Sequence, residues 1–377
     1  MESISERRFR RKILKEEEKK SHWRFGIPII VGLLILPHVV SNYLLGVIIG
    51  LVIAVIVAVG LNLLLGYAGQ ISLGHAAFVA TGAYACAYSA NHWGFTLIPA
   101  LAFGAAAAGV MGLIIGIPAL RIKGLYLAVA TMGFSFIVME VIDRLKSITG
   151  GAGGISVKPA RVLGYRFEAD IPYYYLALFC SLCLVIAAKN LSISATGRAF
   201  VAVRDSEEAA QANGISVFRT KILAFVVSSM YAGIAGGLWA FYLRFISPEN
   251  FTLYYSIEYV VMVVVGGMMS IYGSVLGALV IGFLPHLVVI MKDVLPTFLA
   301  GALPWFPGFV AAVKTLLNDA GFRYLIYGCI MLVFLLYEPA GIYGIWLRFK
   351  FYWKRFPFNR QKVRFKGKRM LLYRSYR

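Results

Sequence analysis

Charge is what this sequence has least of. Only 14% of its 377 residues are Asp, Glu, Lys or Arg, and 60% are hydrophobic. An ordinary soluble domain carries nearer a quarter charged residues, so a water-exposed globule is excluded. Cysteine is as sparse, with four: Cys86, Cys180, Cys183 and Cys329. Cys180 and Cys183 form a CxxC inside the apolar run YYYLALFCSLCLVIAA, with no second pair and no nearby histidine. That setting argues against metal or redox use and for apolar filler. No GxxxxGK[ST] motif is present for nucleotide phosphates and no HExxH for zinc. TGGAGGIS (149–156) is glycine-rich but reads as a flexible outer turn rather than a phosphate cradle. No catalytic site, cofactor or metal is therefore expected on the chain. Energy for any transport has to come from an ion gradient or from another subunit.

What the sequence has instead is apolar length. Runs of roughly 20 apolar residues, enough for a helix to cross a bilayer, recur from Phe25 to Leu347. Spans of a β-barrel would be shorter and alternating. The expected fold is an all-α polytopic membrane protein. Segments are placed near 26–40, 44–65, 71–92, 97–119, 125–142, 171–188, 218–243, 256–268, 274–292 and 322–338. The stretch 256–292 is read as two helices because GGMMSIYG interrupts it and because an even number of crossings is needed, which gives about ten. Three prolines mark 293–321 as re-entrant or interfacial. Four GxxxG spacings (Gly46–Gly50, Gly112–Gly116, Gly233–Gly237 and Gly273–Gly277) predict close helix packing, within the chain or between subunits.

The charges present lie mostly at the ends. Residues 1–24 hold nine Lys/Arg against five Glu, and residues 348–377 hold twelve Lys/Arg and no acid. No apolar core leads the first arm, so no cleavable signal peptide is expected. The domain reading is a basic N-terminal arm (1–24), a transmembrane domain (25–347) and a basic tail (348–377). By the positive-inside rule both ends belong in the cytoplasm. Basic arms beside a membrane meet anionic lipid rather than nucleic acid. This topology puts Gly66–Gln70, Arg121–Gly124, Lys189–Arg219 and Met269–Gly273 inside, and 143–170, 244–255 and 293–321 outside. The outer loop 143–170 holds Arg144, Lys146, Lys158, Arg161 and Arg166, against the rule.

Polar residues inside membrane segments are costly and face a cavity or a partner helix. Asn62, Gln70, Ser72 and His75 lie in GLNLLLGYAGQISLGHA, a segment interrupted by glycines. A broken helix there offers two readings. Either these side chains line a substrate pathway, or they staple helices together or sit in the cytosolic turn. Glu258 reads as an interfacial cap, and Glu140 and Asp143 as local partners of Arg144.

Against this background RDSEEAAQANGIS (204–216) stands out, with three acids and an arginine within five residues. Asp205 followed by Glu208 suggests a capping-box-like start, with the acids suiting the helix dipole. Gly214 is the natural stop. A helix over 206–213 is about 12 Å long, too short to persist alone in water. It needs something to dock against, and Ala209, Ala210 and Ala212 offer a small-residue surface. The bland alternative is a connecting loop.

Glu208-Ala209-Ala210 with Gly214 resembles the EAA loop of ABC importer permeases. GLNLLLGYAGQISLGHAAF (60–78), PALRIKGLYLAVATMGF (118–134), TGRAFVAVRDSEEAAQANGI (196–215) and SPENFTLYYSIEYVVMVVVGGMMSIYGSVLGA (247–278) are similar to the branched-chain amino acid permeases of LivM type. The resemblance runs from about residue 45 to 345 and leaves both basic ends outside it. The fuller EAA pattern ends in Ile-x-Leu-Pro, where this chain has KILAF, and GGMMS stands where GGLGS is usual. The resemblance implies that Asp205, Glu207, Glu208, Ala209, Ala210 and Gly214 belong to a cytoplasmic coupling helix seated on an ATPase. It implies a second related permease as heterodimer partner, two cytoplasmic ATP-binding subunits using ATP and Mg, and an extracytoplasmic binding protein. The cytoplasmic (inner) membrane would be the location, and Leu, Ile and Val the cargo, with urea or a short amide as the alternative. An ion-coupled secondary transporter would need matched broken halves and a midplane acid, and neither is visible in the sequence. A non-transporting scaffold gives no reason for a capped, alanine-faced cytosolic helix.

Overall fold

The computed structural model describes residues 32–119, 122, 124–162 and 164–302, with isolated positions at 315, 325, 328, 329, 332, 341, 342 and 344. Both basic arms and the span expected at 322–338 lie outside the described residues, except for the isolated positions within that span. Helix α1 covers 32–39, and α2 runs over Asn42–Asn62 and continues as a π-helical turn over Leu63–Tyr67. After an irregular stretch come α3 (His75–His92), α4 (Leu97–Ala119), α5 (Leu125–Arg144) and the single turn α6 (Lys146–Thr149). Then follow α7 (Asp170–Ile193), α8 (Ala195–Asp205), α9 (Glu207–Ala212) and α10 (Val217–Leu243). Helices α11 (Leu253–Gly266) and α12 (Ile271–Ala302) complete the described order.

Five of these helices are long and apolar enough to cross a membrane: Asn42–Tyr67, Leu97–Pro118, Leu125–Arg144, Asp170–Ile193 and Val217–Leu243. Helix α3, with 18 residues rich in alanine, and α11, with 14, fill two further expected positions. The stretch 256–292 is two helices, parted at residues 267–270 where Gly267 (φ +118°) and Met269 (φ +65°) turn the chain. The first part of the proline-bearing segment, up to Ala302, continues α12 as helix rather than forming a separate re-entrant piece.

Why the helices assemble is written in their small residues. A Cβ on Gly82 of α3 would meet the backbone of Gly233 in α10, and one on Gly236 would meet the carbonyl of Val79. Gly104 of α4 lies against Cys86 and the Gly82 carbonyl. Helices α3, α4 and α10 thus touch almost backbone to backbone and form the centre, with α2 beside α10. All four GxxxG spacings lie at helix contacts within the chain. Gly46 and Gly50 receive Tyr242 and Trp239, Gly112 and Gly116 face Ser229 and Phe225, Gly233 and Gly237 meet Gly104 and Cys86, and Gly273 and Gly277 close α11 on α12.

The two ends of the bundle differ. At one end the strand Ile155–Ser156 pairs antiparallel with Phe245–Ile246, joining the loop after α6 to the loop after α10. A second small ribbon joins Arg161–Val162 to Tyr165–Arg166. The opposite end carries α8, α9 and both interruptions, 68–74 and 267–270. This division groups 143–170 with 244–255, and 66–70 with 189–219 and 269–273, as the crossing order requires.

Candidate functional site: the capped helix and the broken segments

Three serines organise the segment between α7 and α10. Ser194, Ser206 and Ser216 each accept a hydrogen bond from the backbone N–H three residues on, at Gly197 (3.3 Å), Ala209 (3.2 Å) and Arg219 (3.4 Å). Each therefore starts a helix by satisfying an otherwise unpaired donor. This corrects the sequence reading of Asp205. It is the last residue of α8, not the cap of the next helix, and Ser206 takes that place. The Ser-x-x spacing carried the signal. Helix α8 was missed as well, although Gly197, Phe200 and Val203, all buried, recur at helical spacing.

The short helix α9 has six residues, two fewer than expected. Gly214 ends it with φ +78°, the left-handed conformation glycine adopts without strain. Its small-residue surface is divided. Ala210 is buried against the chain, whereas Glu208, Ala209, Gln211 and Ala212 are exposed. The two glutamates part in the same way. Glu207 turns inward and pairs with Lys221 of α10 at 2.8 Å, where the lysine side chain is 1% exposed. Glu208 is exposed and forms no ion pair among the described residues. Burying an ammonium is tolerable only with a close counter-charge, so the Glu207–Lys221 pair fixes α9 on the base of α10.

Beside it Arg204 of α8 reaches across to the end of α2. Its Nη1 donates to the Gly66 carbonyl at 2.9 Å, while Nε and Nη2 donate to Asp205 Oδ1 at 3.3 and 2.8 Å. The π-helical turn has already displaced the regular ladder, with Ala68 N–H reaching Leu63 and Gln70 N–H reaching Leu64. The Gly66 carbonyl is thus free to accept from the guanidinium. Gly69, at φ +68°, has the Arg204 side chain where a Cβ would stand.

Among the sequence-expected pathway residues, Asn62 takes the stapling alternative. Its Nδ2 donates to the Ser270 carbonyl at 3.0 Å, and its Oδ1 accepts from Met269 N–H at 3.1 Å. One amide side chain thus joins the end of α2 to the break between α11 and α12. Gln70, Ser72 and His75 are buried, and Gln70 Oε1, Ser72 Oγ and both His75 ring nitrogens have no hydrogen-bond partner among the described residues. The backbone around them is held. Thr131 Oγ1 accepts from Leu73 N–H at 3.0 Å and Ser256 Oγ from Ala76 N–H at 2.9 Å. Glu258, expected as an interfacial cap, lies instead inside α11 and is 7% exposed. The turn Pro248–Phe251, closed by a Ser247–Asn250 capping box, precedes that helix. At the far end of the bundle a recess of about 370 Å³ lies between the loop before α7 and the end of α10, with Glu168, Asp170, Tyr173, Tyr242 and Arg244 in its wall.

A bundle of apolar helices with two interruptions at one end, and a capped helix presented beside them, defines an all-α integral membrane protein. Residues 43–335 match the family described as "Branched-chain amino acid transport system / permease component", and the chain belongs to that family. The high-affinity branched-chain amino acid transport system permease protein LivM of Escherichia coli K12 is 34% identical over 249 residues, spanning 59% of this chain and 58% of that protein. A probable branched-chain amino acid transport permease protein LivM of Methanocaldococcus jannaschii is 24% identical over 240 residues, 62% of this chain and 66% of that protein. The L-arabinose transport system permease protein AraH of E. coli K12 is 32% identical over 123 residues, 31% of this chain and 34% of that protein. No solved structure matches the chain.

Proposed function

We infer that the chain is the transmembrane subunit of an ATP-binding-cassette importer, moving Leu, Ile and Val across the cytoplasmic membrane by alternating access. The observation that carries this reading is the exposed half of α9. A six-residue helix persists here because Ser206 caps it and Glu207 bonds it to a buried lysine. Its outward half presents Glu208 beside two small alanines. That surface fits a groove with basic residues at its rim, which a cytoplasmic ATPase would supply. The chain itself brings no ATPase site. ATP and Mg belong to two partner ATPases, and an extracytoplasmic protein delivers the cargo. A second, related permease completes the pathway. The apolar helices α5 and α7 leave much of their surface uncovered within this chain, available to lipid and to that partner. Both termini lie in the cytoplasm, and the basic arms meet anionic lipid there.

The unpartnered atoms of Gln70, Ser72 and His75 belong to the pathway in this reading. Buried polar groups without partners are costly, and opening of the 68–74 break exposes them to water and to a zwitterionic ligand. The cargo assignment draws on the matched family and on the two LivM relatives, which are named for branched-chain amino acids.

Co-purification of the chain with its neighbouring gene products tests the reading. Wild type is expected to bring down an ATPase, and Glu208→Lys to lose it or its transport-coupled hydrolysis. Absence of any ATPase from the wild-type preparation would sink the importer. Uptake of labelled leucine, with valine and urea as competitors, separates amino-acid cargo from amide cargo.

A further inference from the structure

Of the polar contacts at the α8–α9 end, one joins α8 to the first interruption in the membrane helices. Arg204 stands between them. Its guanidinium has two tasks in one plane, since Asp205 holds Nε and Nη2 while Nη1 is left to reach the Gly66 carbonyl, 138 positions away in sequence. Two independent features prepare the acceptor side. The π-helical turn at Leu63–Tyr67 leaves the Gly66 carbonyl without a ladder partner, and Gly69 removes the Cβ that would stand in the path of the Arg204 side chain. From Gly66 the connection continues. Asn62, one turn earlier, holds both Met269 and Ser270 in the second interruption.

We propose that Arg204 is a positioning residue for coupling: its bond to the Gly66 carbonyl carries displacement of the α8–α9 unit to the interrupted end of α2, and through Asn62 to the break between α11 and α12. This rests on the importer reading above and adds a route within the chain. The Glu207–Lys221 pair makes α9 follow α10, and Arg204 gives the same unit a direct polar link to the end of α2. A mobile element can bias a distant site only through contacts that differ between two states. A single charged hydrogen bond to a backbone carbonyl is well suited to that task, because it can be made and released without repacking the apolar core.

The test uses the full chain, co-purified with its permease and ATPase partners and reconstituted in liposomes. Transport and ATP hydrolysis are measured for wild type, Arg204→Met and Arg204→Lys. Methionine keeps much of the aliphatic stem and removes every donor, whereas lysine restores one donor. Arg204→Met is expected to assemble with the ATPase and hydrolyse ATP, yet to carry at least roughly fivefold less substrate per ATP. Arg204→Lys should recover part of that ratio. An unchanged transport-to-hydrolysis ratio in Arg204→Met overturns the proposal while leaving the importer reading intact. If Arg204→Met does not accumulate, Arg204→Leu, which also removes every donor, takes its place, and an unchanged ratio in it overturns the proposal in the same way. A wild-type preparation without ATPase sinks the importer reading and this route with it.

Discussion

Two adjacent glutamates in EEAA have the same chemistry and different neighbours, and the difference decides what each does. Glu208 faces solvent, whereas Glu207 neutralises Lys221, whose side chain is 1% exposed. Breaking a buried pair from one side costs about 3–5 kcal/mol. The Glu207 side chain is 27% exposed, so water compensates part of the loss and the expected cost of Glu207→Gln is about 2 kcal/mol. Lys221→Met removes the charge that needs a partner and should cost less. The double variant should then be more stable than Glu207→Gln alone, measured by thermal unfolding in detergent. Strictly additive losses would show that the pair contributes no interaction. None of this is legible in sequence, because Glu207 and Lys221 are 14 positions apart across a turn and neither carries a pattern. Asp205 shows the complementary failure. It and Ser206 are both good caps, and only the passage of α8 through Asp205 decides between them.

At the scale of elements, glycine spacing announced close packing without naming partners. Period and small size can be read from one helix, whereas a contact needs two. The structure supplies the second helix and with it a graded prediction. A methyl on Gly82 would enter the backbone of Gly233, and neither helix can yield without moving the other. Gly82→Ala should therefore cost about 1–3 kcal/mol and reduce the folded yield in membranes. A methyl on Gly116 would lie 3.5 Å from Phe225 Cβ, an ordinary contact. Gly116→Ala should be neutral or slightly stabilising, since alanine is the better helix former. Fluorescence-detected size-exclusion chromatography of both variants checks this, and equal behaviour would mean that the α3–α10 approach is looser than described. The helix positions themselves were largely legible, because runs near 20 apolar residues have few other fates. The interruptions were visible as glycines, but the π-helical turn and the staple from Asn62 were not. A π turn depends on where displaced carbonyls find donors, and here the donor is Arg204.

For the whole molecule, the disputed region is the basic loop 143–170, which the crossing order places outside and the positive-inside rule would place inside. Its charges are partly held by neighbours. Arg144 pairs with Glu140 at 2.5 Å, and Lys158 Nζ donates to the Asn91 carbonyl at 2.8 Å. Its chain pairs with Phe245–Ile246 beyond α10, at the end opposite Arg204 and α9. Of the 37 Lys/Arg in the sequence, 21 lie in residues 1–24 and 348–377, and we propose that this weight, rather than one loop, sets the orientation. The contact pattern fixes only that the loop and α9 lie at opposite ends, so the prediction has two parts. In a chain with Cys180, Cys183 and Cys329 replaced by alanine, and with buried Cys86 retained, Tyr165→Cys and Arg219→Cys should react with an impermeant maleimide from opposite faces. Tyr165→Cys should label in intact cells and Arg219→Cys only after lysis. Labelling of both from one face would break the fold assignment. Labelling in the reverse sense would keep the fold and turn it over in the membrane, placing α9 where no ATPase can reach it.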